Sequence, residues 1–333
     1  MPEQSTLDDS DDAAGHGPAV VPVIEPDEAA RKTYRYLRLG MIGAVVLLGT
    51  SVLVEHGNAP KGCWQTSISA YYYTPVRAVF VGALMAIGLS LIVIKGSTVP
   101  EDLCLNAAGM LAPVVALVPT SGVGTCWSIQ PEPPPTRETP SGPVLQDWVV
   151  ANIDNNIQAL LVVFLVGLVA AAVIAAVATG LRVKATDAGA GEVVLAQLRA
   201  ARWKANWVTI LILALTAVVL LLGALLFLFW DDFDSHFHGY AAGAMFGFLM
   251  IAAFFNGMDT RKRGGWYPRL YFAVAGLMLA TAPLLLVDGW ALKVLWVEVL
   301  EITWFMTLWI VQSRELWDDT LRHGTRESDR RVG

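Results

Sequence analysis

Eight stretches of predominantly apolar residues dominate this chain, near 37–54, 76–95, 103–119, 154–180, 206–230, 237–257, 268–287 and 294–312. A helix needs about 20 such residues to cross the hydrocarbon core of a bilayer. Only helices and closed barrels can cross it, because every backbone polar group must be paired once water is gone. The pattern predicts an all-α fold: a polytopic transmembrane helix bundle of eight spans. Composition agrees, with 55% hydrophobic and 16% charged residues and a mean hydropathy of +0.53. A soluble domain carries roughly 25% charged residues, so an ordinary soluble enzyme and a disordered protein are both excluded. The third stretch is the weakest, being short and carrying Asn106, Pro113 and Pro119.

The net charge of −6 is local. Residues 1–30 hold Glu3, Asp8, Asp9, Asp11, Asp12, Glu25, Asp27 and Glu28 and no Lys or Arg, leaving 23 basic against 21 acidic side chains elsewhere. Nucleic acid is therefore not an expected partner. The tail starts acidic and has no early apolar run, so it does not read as a cleavable signal. Its composition predicts disorder over 1–30. A transmembrane domain over 31–312 and a cytoplasmic C-terminal tail over 313–333 follow. With the N-terminus inside, 19 of the 23 basic residues are cytoplasmic and only Lys61, Arg77, Arg137 and Lys293 are not. That asymmetry places the protein in the plasma membrane with both termini cytoplasmic. The segment from Glu192 to Lys204 reads as an amphipathic helix on the inner leaflet, or equally as a soluble loop helix.

Cys63 and Cys126 fall in outer loops, each followed by a tryptophan, and an oxidising compartment lets them pair. Cys104 is expected to be a free structural thiol. The second outer loop holds Pro131, Pro133, Pro134, Pro135, Pro140 and Pro143, and should be extended, without sheet or helix. Gly239, Gly243 and Gly247 recur every four residues on the sixth span. They form a ridge for close packing inside the bundle, or for a homodimer. Ala273, Gly276 and Ala280 offer a second small face on the seventh span.

Ionisable groups within a membrane are costly, and each is a functional hypothesis. Glu298 and Glu301 share one face of the eighth span near its outer end. Asp154 stands in a polar opening of the fourth span. Ser67, Ser69 and Tyr71 precede Arg77, which begins the second span. Together with His236 they converge on one outer-leaflet cavity suited to a lipid headgroup or small polar ligand. Arg77 and Glu298 are expected to be electrostatic partners. No metal is favoured. Zinc, were it bound, would use His236, His238, Asp232 and Asp234, completed by His56, because alternate positions of an extended segment point one way. In a helix, His236 and His238 diverge by about 200°.

Three stretches together resemble an uncharacterised family of bacterial multipass membrane proteins, a domain of unknown function. They are Ser67-Ile-Ser-Ala-Tyr-Tyr-Tyr-Thr-Pro-Val-Arg77 with its continuation to Gly82, Val114 to Thr120, and His236 together with Glu298, Phe305 and Trp309. The resemblance implies a six-span bundle in which about 150–230 is an inserted helical hairpin. It groups Ser67, Ser69, Tyr71, Arg77, His236 and Glu298 as one set and implies no activity. A more distant likeness is to seven-span zinc hydrolases, whose His-x-x-x-His helix this chain lacks. The expected function is ligand binding at the outer cavity. The alternatives are a metal-dependent intramembrane lipid hydrolase and a proton-coupled transporter. Transport needs polar groups in the cytoplasmic halves of the spans, where the sequence offers only Asn106 and a few hydroxyls.

Overall fold

The computed structural model describes residues 26–60, 63–140, 142–186, 210, 213–214, 216–229 and 233–332, with 26–31, 142, 178–186, 233–235, 263 and 316–332 by backbone alone. Its helices are α1 (Pro26–Asn58), α2 (Arg77–Val93), α3 (Val99–Leu117), α4 (Asp147–Thr186), α5 (Thr216–Phe229), α6 (Phe233–Arg263), α7 (Tyr267–Thr281) and α8 (Lys293–Val332). A 3-10 turn, Ser69–Tyr73, precedes α2, and another, Ala282–Leu286, continues α7. Five segments are long and apolar enough to cross a membrane: Lys32–Asn58, Asp147–Val177, His236–Lys262, Tyr267–Leu286 and Lys293–Glu315. Helix α2 and the described part of α5 are apolar but shorter. The last helix does not stop at 312 but runs to Val332, and α1 already includes 26–30. The rest of the expected acidic tail and the 192–204 segment lie outside the described residues.

Pairwise packing closes six helices into a ring, in the order α1, α2, α3, α6, α7, α8 and back to α1. The apolar stripes of these helices meet in one core that includes Met41, Leu91, Leu105, Leu249, Tyr271 and Trp309. Helix α4 joins the ring along α3. Farther along it exposes Val162, Val166, Val169 and Ile174, and α5 exposes Leu221, Leu225 and Phe229, surfaces suited to lipid.

Helix α3 lies between α2 and α6. Thr98 caps it by accepting from the Glu101 N–H, and Pro100 occupies its first turn, where no N–H is needed. Pro113 inside the helix cannot donate to Gly109, four residues back. That stretch packs directly on α2: a Cβ on Gly88 would meet Gly109 O at 2.8 Å and Pro113 Cδ at 2.9 Å. The close glycine crossing is thus between α2 and α3. The Gly239, Gly243 and Gly247 ridge is different. A Cβ at any of the three would meet nothing within 4 Å, so the expected packing of this ridge inside the bundle does not occur among the described residues. Gly276 of the second small face is likewise open.

The proline-rich loop also departs from expectation. Thr136–Thr139 (β1) and Gly142–Leu145 (β2) pair antiparallel, with Glu138 opposite Pro143. A two-stranded ribbon has two free edges, and a proline is tolerated where its missing N–H faces outward.

Candidate functional site

The segment between α1 and α2 builds one end of the bundle. Ser67 Oγ accepts from the Ala70 N–H at 2.9 Å, and Thr74 Oγ1 donates to Tyr71 O at 2.7 Å. These two hydroxyls close the 3-10 turn at both ends, so its backbone is satisfied without a long helix. Ser67 through Thr74 are all buried. Burial pushes the Tyr71 and Tyr73 phenols above their ordinary range, so both remain protonated, and Tyr73 donates to Thr120 O at 3.0 Å.

Glu298 of α8 anchors this turn. It accepts from the Ile68 N–H at 2.5 Å and from Ser69 Oγ at 2.9 Å. Just before it on α8, Leu295 N–H donates to Thr66 O at 3.1 Å. A hydrogen bond contributes roughly 0.5–1.5 kcal/mol net, and these bonds together hold the polar loop against an apolar helix. Glu298 is half-buried. One turn deeper, Glu301 is buried, within reach of the Thr281 hydroxyl through one oxygen, while its Oε2 has no partner.

Arg77 does not pair directly with Glu298. It is exposed, donates to the Tyr72 hydroxyl at 2.7 Å and stacks 4.4 Å from the Tyr72 ring centre. The donors on Glu298 come instead from the turn itself. The histidines also exchange places relative to expectation. His236 is exposed at the start of α6, whereas His238 is buried. His238 Nδ1 lies 2.5 Å from Val118 O, which makes that nitrogen the donor and leaves Nε2 as a buried acceptor without a partner. Helical geometry over 233–240 separates the two imidazoles. Asp154 is half-buried on α4, where Asn156 donates to Leu117 O at 3.1 Å.

A disulfide joins Cys63 to Cys126 with a Cα separation of 5.5 Å, and Cys104 is free and buried. The bonded loops are tied further by Gln65 Nε2 donating to Cys126 O at 2.6 Å and by Glu55, which accepts from the Ser128 N–H and hydroxyl. His56 is committed here as well, stacked on Trp64 with Nδ1 2.8 Å from Cys63 O. Among the described residues no three His, Cys, Asp or Glu side chains gather as metal ligands. Asp232 and the Asp234 side chain lie outside them.

The sequence reading missed a second polar site at the opposite end of the ring. Arg38, Glu101, Asn256, Thr260, Gln312 and Glu315 are all buried there. One residue of α1, one of α3, two of α6 and two of α8 supply it, so no single local motif reveals it. A periodicity argument could have found part of it, since Glu298, Glu301, Gln312 and Glu315 recur on one face of α8. The supposed shortage of polar groups in these halves of the spans is thereby corrected.

Fold and site define a helical protein suited to membrane insertion, with buried polar side chains at both ends of a six-helix ring. Compared with protein-family models, curated proteins and solved structures, the chain matches none.

Proposed function

We propose that the chain is a plasma-membrane protein of eight crossings with both termini cytoplasmic. In this reading it binds a small donor-bearing ligand, of the class of an ammonium lipid headgroup, at the disulfide-bearing outer end. The carrying observation is the Glu298–Glu301 pair: one carboxyl half-buried, the next buried one turn below with an unpartnered oxygen. An unpartnered acceptor in an apolar interior is strongly disfavoured. A primary ammonium group supplies three donors. His238 Nε2 and Gln65 Oε1, also buried acceptors without partners, support the same polarity of ligand. The six ring helices with α4 and α5 support eight crossings, and the basic residues support the orientation. The bacterial family resemblance belongs to this proposal, as does a homodimer through the open ridge of Gly239, Gly243 and Gly247.

The test is native mass spectrometry of the full chain released from nanodiscs of equal phosphatidylethanolamine and phosphatidylglycerol. Phosphatidylethanolamine should be retained preferentially, and Glu301→Gln should weaken retention by about tenfold, the worth of one charge-assisted hydrogen bond. Equal retention of both lipids, or retention indifferent to Glu298→Gln and Glu301→Gln, overturns the reading.

A proton-coupled carrier is the second reading. The buried polar cluster around Gln312 favours it, because a carrier requires polar groups on both sides of its apolar middle.

A further inference from the structure

At the end of the ring away from the disulfide, Gln312 of α8 is a hub. Its Oε1 accepts from Arg38 Nε of α1 at 3.2 Å. Its Nε2 donates to Glu101 Oε1 of α3 at 3.4 Å and to Asn256 Oδ1 of α6 at 3.5 Å. Three residues on, Glu315 accepts from the Tyr271 hydroxyl of α7 at 2.5 Å and from Thr260 of α6 at 3.3 Å. Arg38, Glu101, Gln312 and Glu315 are each more than nine-tenths buried.

The charges here do not close. Arg38 reaches Glu101 through the Gln312 amide, not by an ion pair, and its guanidinium rests 6.0 Å from the centre of the Trp309 ring. The indole N–H of Trp309, itself fully buried, has no acceptor. The titratable groups facing the hub are Tyr34 and Arg38 from α1 and Glu101 and Cys104 from α3. Among the described residues Tyr271 from α7 and Glu315 from α8 join them, and Asn256 and Thr260, the α6 groups hydrogen-bonded here, are neutral. Asp102 is turned away, accepting from the Gly96 N–H and paired with exposed Lys95. Among the described residues, two carboxyl groups therefore stand near one guanidinium in an interior where an uncompensated charge is strongly disfavoured.

We propose that this cluster is a proton-binding site, holding one proton on its two-carboxyl, one-guanidinium set. The proton enters through Glu101, whose Oε2 accepts from the N–H of exposed Ser97 at 2.7 Å and so abuts the surface turn between α2 and α3. Gln312 couples the protonation state to the packing of α1, α3, α6 and α8, because its amide touches a group from each of the other three. This site stands independently of ligand binding at the outer end.

The test is pH-difference infrared spectroscopy of the full chain in nanodiscs, read at the protonated-carboxyl C=O stretch with deuterium exchange. A protonated-carboxyl band is expected at neutral pH that titrates away on alkalinisation. Glu101→Gln should remove or shift it, and Glu298→Gln and Glu301→Gln should leave it. A wild-type spectrum without such a band, or a band removed only by the two outer variants, overturns the proposal. Should Glu101→Gln fail to fold, Asn256→Asp adds a third carboxyl beside Gln312. The protonated-carboxyl intensity should then rise by one group, and an unchanged intensity overturns the proposal as well.

Discussion

Replacing Gly88 with alanine places a methyl group between α2 and α3. The new Cβ would stand 2.8 Å from Gly109 O, 2.9 Å from Pro113 Cδ and 3.1 Å from Ala112 Cβ. Backbone and a proline ring cannot rotate away, so the helices must separate. Overpacking of this kind costs typically about 1–3 kcal/mol, offset by at most about 1 kcal/mol of helix propensity gained over glycine. The net effect should be a destabilisation of about 1–2 kcal/mol. Gly243→Ala is the control. Its Cβ would meet nothing within 4 Å, so the propensity gain stands alone and stability should hold or rise by up to about 1 kcal/mol. Thermal unfolding of the two variants in the same micelle, followed by tryptophan fluorescence, should separate their apparent Tm values by several degrees, with Gly88→Ala lower. Gly109→Ala introduces the reciprocal clash, 2.7 Å from Gly88 O. The double variant should therefore lose less than the sum of the two single losses. Equal Tm values for Gly88→Ala and Gly243→Ala would refute the packing argument. A loss confined to Gly243→Ala would show instead that a second copy covers the ridge.

Arg77→Gln and Glu298→Gln should be additive to within about 0.5 kcal/mol in a thermal-unfolding cycle, since each side chain has its own partners. Strong coupling would restore the direct pair. Reducing the Cys63–Cys126 bond, which closes a separation of 63 residues, should destabilise by at most about 4 kcal/mol on chain-entropy grounds, and an unchanged Tm in dithiothreitol would contradict this. A single reporter cysteine at position 262, in a background lacking Cys104, should resist membrane-impermeant maleimide added outside intact cells. Labelling there would invert the proposed orientation.

What the sequence made legible is what periodicity and composition encode. Apolar segments announce themselves because each must satisfy its backbone internally, and the helical architecture follows from them. Ser67, Ser69 and Glu298 were also legible, as polar groups where a bilayer penalises them. The donor that meets Glu298 was not. A carboxylate in an apolar helix calls for a cation by charge alone, yet a backbone N–H and a hydroxyl delivered by a tight turn do the same at short range. Arg77, two residues past Pro75, is directed to Tyr72 instead. His236 and His238 illustrate the same limit: once 233–240 winds as helix, neighbours in sequence face opposite ways, and only one can be buried.

The cluster around Gln312 was the least legible because it is assembled from one or two residues each of α1, α3, α6, α7 and α8, each of which looks like an ordinary span terminus. Its consequence for α8 is specific. Along this one helix Glu298 and Glu301 lie in the first turns and Gln312 and Glu315 about midway to Val332, with Phe305, Leu308 and Trp309 buried between them. From Glu298 to Glu315 the helix rises about 25 Å, most of the roughly 30 Å hydrocarbon thickness. Phe305, Leu308 and Trp309 pack between the two polar clusters, so a shift of α8 against its neighbours would act on both. The hydrogen bonds of Gln312 to α1, α3 and α6 are the contacts such a movement must break. Gln312 is therefore the residue whose loss should loosen its own end of the ring without touching the site around Glu298.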